Sequence, residues 1–181
     1  MALNEMYLHS ERSAAGDEVL TPFYAVEPLL EFIPKGKTIW CPFDEEWSAF
    51  YQTFKENGYK VVRSSLSDGQ DFFEYEPENW DILVSNPPFS KKDEVLKRVY
   101  NFNKPFALLL PCNSIQGKKR HDIFKNDIQM LCFDLRVDYH TWGNMQTYTK
   151  GCHFGSAYFC RDLLPSKLEL RHLEKYERAL A

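Results

Sequence analysis

Three short runs of almost wholly apolar residues are separated by segments of helical periodicity, and this alternation restricts the chain to a sheet that is covered on both faces. The runs span residues 38–43 (TIWCPF), 81–85 (DILVS) and 106–110 (FALLL). A strand with one wet face alternates apolar and polar residues, whereas a strand buried on both sides reads as a continuous apolar stretch. After the first run, Trp47, Phe50, Tyr51 and Phe54 fall at i, i+3, i+4 and i+7, one face of a helix. Asp44 is placed as its N-cap, with Glu45 and Glu46 beside the positive end of the dipole and Gly58 closing it. Residues 91–102 give a second amphipathic helix with Val95, Leu96 and Val99 inward. Thr21-Pro22 has the form of a helix start, Thr as N-cap and Pro at the first helical position, with Pro28 as a kink. Residues 59–66, 128–139 and 153–160 are read as further strands, and 140–152 as a polar loop. The tail, 165–181, carries Leu168, Leu173, Tyr176 and Leu180 among many charges and is read as a closing surface helix. The expected organisation is one domain over 1–181, with 1–18 as an N-terminal extension.

Strands alternating with helices imply a mostly parallel sheet flanked by helices on both faces. Such sheets bind ligands at the carboxyl ends of their strands. The run 81–85 leads directly into Asn86-Pro87-Pro88-Phe89, so this tetrapeptide is expected at that end. Two prolines fix φ and remove two donors, leaving a stiff turn that cannot continue a ladder. The Asn86 side-chain oxygen and the Pro87 carbonyl can then accept from one exocyclic amino group, and Phe89 offers a flat face for a base.

An adenine amino nitrogen is a poor nucleophile because its lone pair is delocalised. Two acceptors on its hydrogens favour the pyramidal form and aim the lone pair, which is catalysis by orientation and electrostatics. On these residues the sequence resembles the S-adenosylmethionine-dependent methyltransferases that act on adenine N6, and most closely the short proteins of this type that phages encode. The resemblance implies a Rossmann-like class I methyltransferase fold, with S-adenosyl-L-methionine as cofactor. It implies Asn86, Pro87, Pro88 and Phe89 as catalytic residues. By the same likeness, Thr21, Pro22, Cys41, Pro42, Phe43, Asp44, Asp71 and Phe72 would line the cofactor site. Phe154 would lie near the target base. Two departures accompany the likeness. The turn after the first strand, Cys41-Pro-Phe-Asp-Glu-Glu-Trp47, has none of the family's glycines, which implies weakened cofactor affinity. The second strand ends without an acid for the ribose hydroxyls unless Asp68 reaches back.

For nucleic acid, with DNA placed before RNA, the recognition residues are expected in the basic and aromatic stretches, at Lys118, Lys119, Arg120, Trp142 and Tyr148. The net charge of −4 does not by itself mark a phosphate-binding chain. Two other readings compete: a methyltransferase-like module without transfer activity, acting through a protein partner, and an N-methyltransferase for RNA or a protein amide. The five cysteines are scattered without a Cys-x-x-Cys pair, which points to reduced thiols; the polar stretch 1–16 lacks the apolar core of a secretory signal, so a cytoplasmic protein is expected. Cys152, His153 and Cys160 match no zinc spacing, so no metal is expected. No apolar run reaches the roughly 20 residues of a membrane span.

Overall fold

The computed structural model describes residues 19–125 and 127–180; the expected N-terminal extension lies outside them. Seven strands form one sheet in the order β2-β1-β3-β4-β6-β5-β7. They are β1 (Thr38–Pro42), β2 (Lys60–Ser64), β3 (Ile82–Ser85), β4 (Phe106–Pro111), β5 (Gln129–Phe133), β6 (Ser156–Arg161) and β7 (Leu168–Arg171). β2, β1, β3 and β4 are parallel neighbours. β6 runs against both β4 and β5, while β7 lies parallel to β5. The helices are α1 (Phe23–Val26), α2 (Ala49–Glu56), α3 (Lys92–Asn101) and α4 (Lys118–Phe124). This is the expected Rossmann-like fold, a mostly parallel sheet with helices on both faces.

The apolar strands divide their side chains between two cores, as the period of two requires. Ile39, Cys41, Ile82, Val84, Ala107 and Leu109 meet α1 and α2 through Phe23, Tyr24, Val26, Phe50 and Phe54. Trp40, Leu83, Phe106, Leu108 and Leu110 point the other way, onto Val95, Leu96 and Val99 of α3 and Phe124 of α4. Neither side of β1, β3 or β4 is left wet, which explains why each reads as unbroken apolar sequence.

Several expectations are corrected. Asp44 caps no helix: Ser48 is the N-cap of α2, accepting from the Tyr51 amide at 3.5 Å. Thr21 does not cap either, because Pro22 takes the N-cap position of α1 without a side-chain hydrogen bond. After Val26 that helix tightens into a 3-10 turn over Glu27–Glu31, with Pro28 near its start, since proline cannot donate to an α-helical ladder. Residues 128–139 hold a strand only over Gln129–Phe133, and the strand expected from 153 begins at Ser156. The tail is no helix. Leu168 and Leu170 alternate with inward Glu169 and Arg171 on the edge strand β7. Residues 172–180 then run without regular structure. Local hydrogen bonds of a helix are replaced there by long-range ties: His172 to Asp134 at 2.7 Å, Lys175 to Asp138 at 2.7 Å, Tyr176 to Glu27, and Arg178 to Glu56 at 2.5 Å.

Candidate functional site

The chain order reverses on either side of β1, with β2 on one flank and β3 on the other. That switch point is where an open α/β sheet leaves a crevice beyond its carboxyl ends. A cavity of about 550 Å³ lies there. The segment after β1 supplies Phe43, Asp44, Glu45, Trp47 and Ser48, and the segment after β3 supplies Asn86, Pro87 and Pro88. Thr21, Asp71 and Phe72, all expected at a cofactor site, face it too.

Asn86 is held from one side. Its Nδ2 donates to the Val19 carbonyl at 2.9 Å, and a carbonyl can only accept, so the amide is fixed with Oδ1 turned away from Val19. That Oδ1 is buried and has no hydrogen-bond partner. A buried unpaired acceptor costs about 1–3 kcal/mol, so its retention at the wall of a cavity marks a place for a donor from a ligand. Val19 is itself placed by the next residue, because Leu20 and His140 exchange both backbone hydrogen bonds at 3.0 and 2.9 Å. A second unsatisfied buried oxygen, Thr21 Oγ1, belongs to the same cavity wall.

Asp44 sits deep in the cavity. Burial is the main influence on its carboxyl and raises it to about 7, against the opposing hydrogen bonds of Ser85 and Ser48. Ser85 Oγ lies 2.7 Å from Asp44 Oδ2 and also reaches the Pro42 carbonyl, which ties the end of β3 to the end of β1. A carboxyl poised in this way suits a cationic ligand group, whose charge would favour the ionised form. The turn before it lacks glycine yet adopts the glycine-like conformation, with Phe43 at φ 68°. For a residue with a Cβ this left-handed geometry costs about 1–2 kcal/mol. The Phe43 ring rests on Phe72 at 4.8 Å between centroids, and Phe72 packs in turn on Trp40 at 5.6 Å.

Asp71 faces the cavity and also closes its own turn, Oδ1 accepting from the Phe73 amide at 2.9 Å. Asp68 does not reach back: it pairs with Arg63 and accepts from Ser65 Oγ. Glu45 instead faces the cavity and accepts from Ser67 at 2.6 Å. Pro22, Cys41 and Pro42 stand behind the site; Cys41 is fully buried in the core.

Phe89 is half-buried, edge-on to Phe154 at 5.7 Å, and Phe154 stacks on Tyr139 at 5.9 Å. Among the residues expected to meet a nucleic acid, Trp142 faces the cavity, and Lys118 and Lys119 are exposed on α4. Arg120 is taken up by Asp93 at 2.6 Å and by the Ser114 and Gln116 carbonyls at 2.7 Å. Tyr148 packs edge-on against Tyr24 at 5.4 Å. Sequence reasoning missed Glu45, Ser65, Ser67, Gln70, Lys91 and Leu180, all at the cavity. The position of Ser65–Gln70 just beyond β2 could have flagged that group; nothing local announces Leu180. The cysteines are free thiols, and among the described residues no cluster of side chains could hold a metal ion. No helix of the described residues is long and apolar enough to cross a membrane.

No family model matches the chain. Over 88 residues it is 34% identical to the type II methyltransferase M.EcoRI of Escherichia coli, a match covering 43% of this chain and 27% of that protein. The chain thus spans only about a quarter of the length of this curated relative. In structure it is similar to a dimethyladenosine transferase from Plasmodium falciparum, at 9% identity and a TM-score of 0.47, covering 80% of this chain and 62% of that one. The delta-N METTL16 MTase domain aligns with a TM-score of 0.37 at 14% identity, covering 88% and 81%.

Proposed function

We propose that the chain transfers a methyl group from S-adenosylmethionine to the N6 amino group of adenine in nucleic acid, with DNA as the first substrate to test. The observation that carries this reading is Asn86 Oδ1, buried at the cavity wall, locked in orientation by Val19, and without a partner of its own. An exocyclic amine supplies the donor this oxygen lacks. The Pro87 carbonyl is the natural second acceptor, because the two prolines stiffen the turn that presents it. Held by both hydrogens, the amine becomes pyramidal and its lone pair is aimed, so the chain contributes positioning and fixed dipoles rather than a covalent intermediate.

In this reading the same cavity also takes the cofactor. S-adenosylmethionine brings an electrophilic methyl on a sulfonium centre, together with an ammonium and an adenine ring. Asp44 would pair with the ammonium, and the rings of Phe43 and Phe72 would give an apolar wall for the adenine. The unsatisfied Thr21 hydroxyl is available to the methionine carboxylate. Likeness to a type II methyltransferase over 88 residues supports the same reading. The glycine-free turn speaks for it rather than for an inactive module, since Phe43 keeps the left-handed geometry that glycine would otherwise supply.

The test is nucleoside analysis by mass spectrometry after incubating protein, methyl donor and adenine-containing DNA. N6-methyl-2′-deoxyadenosine is expected with the wild type and not with Asn86→Ala, whose donor binding should persist by calorimetry. Wild-type turnover by Asn86→Ala would overturn the proposal.

A further inference from the structure

The mouth of the cavity carries a combination that the reaction itself does not require. Leu66, Phe73 and Trp142 all line it, yet they expose 75%, 37% and 53% of their surface. Trp142 is held firmly. It lies inside a tight turn closed by Asn144 N to Thr141 O at 2.9 Å and Thr141 N to Asn144 O at 3.3 Å. Its indole meets Trp47 edge-on, 5.4 Å between centroids and 79° between planes. About half of the Trp142 surface nevertheless stays open to solvent.

The charges around the mouth are divided. Glu45 and Asp71 face the cavity from the segments after β1 and β2, whereas Lys91 flanks the Asn86–Pro88 turn. Arg120, bonded to Asp93 in the first turn of α3, brings the start of α4 against the same end of the molecule. Lys118 and Lys119 are exposed there. Lys91, Lys118 and Lys119 have no carboxylate partner among the described residues. This is a short basic stretch beside an aromatic platform, with carboxylates close by. A duplex presents two phosphate chains and one negative charge about every 1.7 Å of axis, which the nearby carboxylates oppose. Its paired adenine must also be extruded, at a cost of a few kcal/mol. A single strand needs only one backbone track and a flat surface for stacking.

Building on the proposed adenine methylation, we infer that the substrate is an unpaired strand, whose adenine enters the cavity while a neighbouring base stacks on Trp142 and its phosphates run past Lys91, Lys118 and Lys119. The shared chemistry is that of single-stranded nucleic acid, and DNA and RNA forms are separate arms of the test.

Fluorescence anisotropy is measured without methyl donor, on labelled adenine-containing single-stranded DNA, its RNA counterpart and the matched DNA duplex. At least one single strand should bind roughly tenfold or more tightly than the duplex, and the tighter of the two identifies the sugar. Trp142→Ala should weaken single-strand binding by roughly 5- to 150-fold, and Trp142→Phe by much less. The Lys118→Ala/Lys119→Ala double variant, whose changes are both exposed, should make the salt slope shallower by about 1.4. Equal or tighter duplex binding overturns the inference, as does Trp142→Ala binding like wild type. Should Trp142→Ala fail to fold, the lysine variant and Trp142→Phe decide, and an unchanged salt slope overturns it. Methylation of the duplex without any single-strand preference would sink this inference and leave the reaction standing. Trp142-dependent single-strand binding without methylation would do the reverse.

Discussion

Replacing Asp44 by asparagine tests the site through a carboxyl that burial raises into the neutral range. The carboxyl is raised from 3.8 to about 7, chiefly by burial. A folded state that holds its proton more tightly than the unfolded chain loses stability as pH rises between those two values. Below about 4 both states carry the proton and the group contributes nothing; above about 7 the fold bears the full cost of a buried carboxylate. The gap of about three pH units corresponds to about 4 kcal/mol. Asparagine retains an oxygen to accept from Ser85, now 2.7 Å away, and cannot ionise. Urea melts of both proteins from pH 4.5 to 8 should therefore show Asp44→Asn gaining on wild type by about 3–4 kcal/mol across the range. The gain should flatten at its upper end. Any fixed loss from the substitution cancels in this difference, and so do the contributions of other groups such as the exposed His172–Asp134 pair. Parallel curves would refute the assignment of a buried, proton-holding carboxyl. An ammonium bound beside Asp44 should lower its pKa, so S-adenosylmethionine binding near pH 6.5 should release a proton. Calorimetry in buffers of different ionisation enthalpy would show it, and buffer-independent heats would contradict an Asp44–ammonium contact.

Three further outcomes follow from the geometry. Asn86→Asp should cost about 1–3 kcal/mol in thermal melts and lose transfer, because a carboxylate offers no donor to the Val19 carbonyl; a fully active, stable aspartate variant would contradict the anchoring role. Phe43→Gly should be more stable than Phe43→Ala by about 1 kcal/mol, since both remove the ring and only alanine keeps the left-handed penalty. Phe89→Ala should weaken adenine-strand binding by about 1–3 kcal/mol, with Phe89→Tyr largely retaining it. A loss of about 3–5 kcal/mol in melting without selective loss of binding would assign Phe89 to packing against Phe154.

The central sheet was legible because β1, β3 and β4 carry their destination in composition: only a strand covered on both faces is written TIWCP, ILVS or FALLLP. Asn86–Phe89 was legible for the same reason, being the residues that must follow such a strand at its carboxyl end. Asp44 misled, because an acid before an amphipathic period has the pattern of a cap; burial by β3, far away in sequence, made it part of the cavity and left the cap to Ser48. The tail misled more thoroughly. Leu173, Tyr176 and Leu180 are spaced by three and four, as on a helix, but they bond or pack to Asp134, to Tyr24 and Glu27, and to Met145 rather than across successive turns. The Val19–Asn86 bond spans 67 residues, and no local rule could have produced it.

A small set of amides outside the sheet would report on the cavity. Its wall is stitched from the 19–20 segment, the 139–149 loop and Leu180, joined by Leu20–His140, by Thr149 N to Tyr139 O at 2.9 Å, and by Leu180 N to Met145 O at 3.0 Å. These links lie outside the sheet ladder, so they can open while β4 and β6 stay closed, as a local unit with its own free energy. Hydrogen exchange would thus separate two clocks in one molecule: a slow one in the central strands, and a faster one shared by three stretches of chain distant in sequence. Filling the cavity should slow the second clock at all three stretches together and leave the first unchanged.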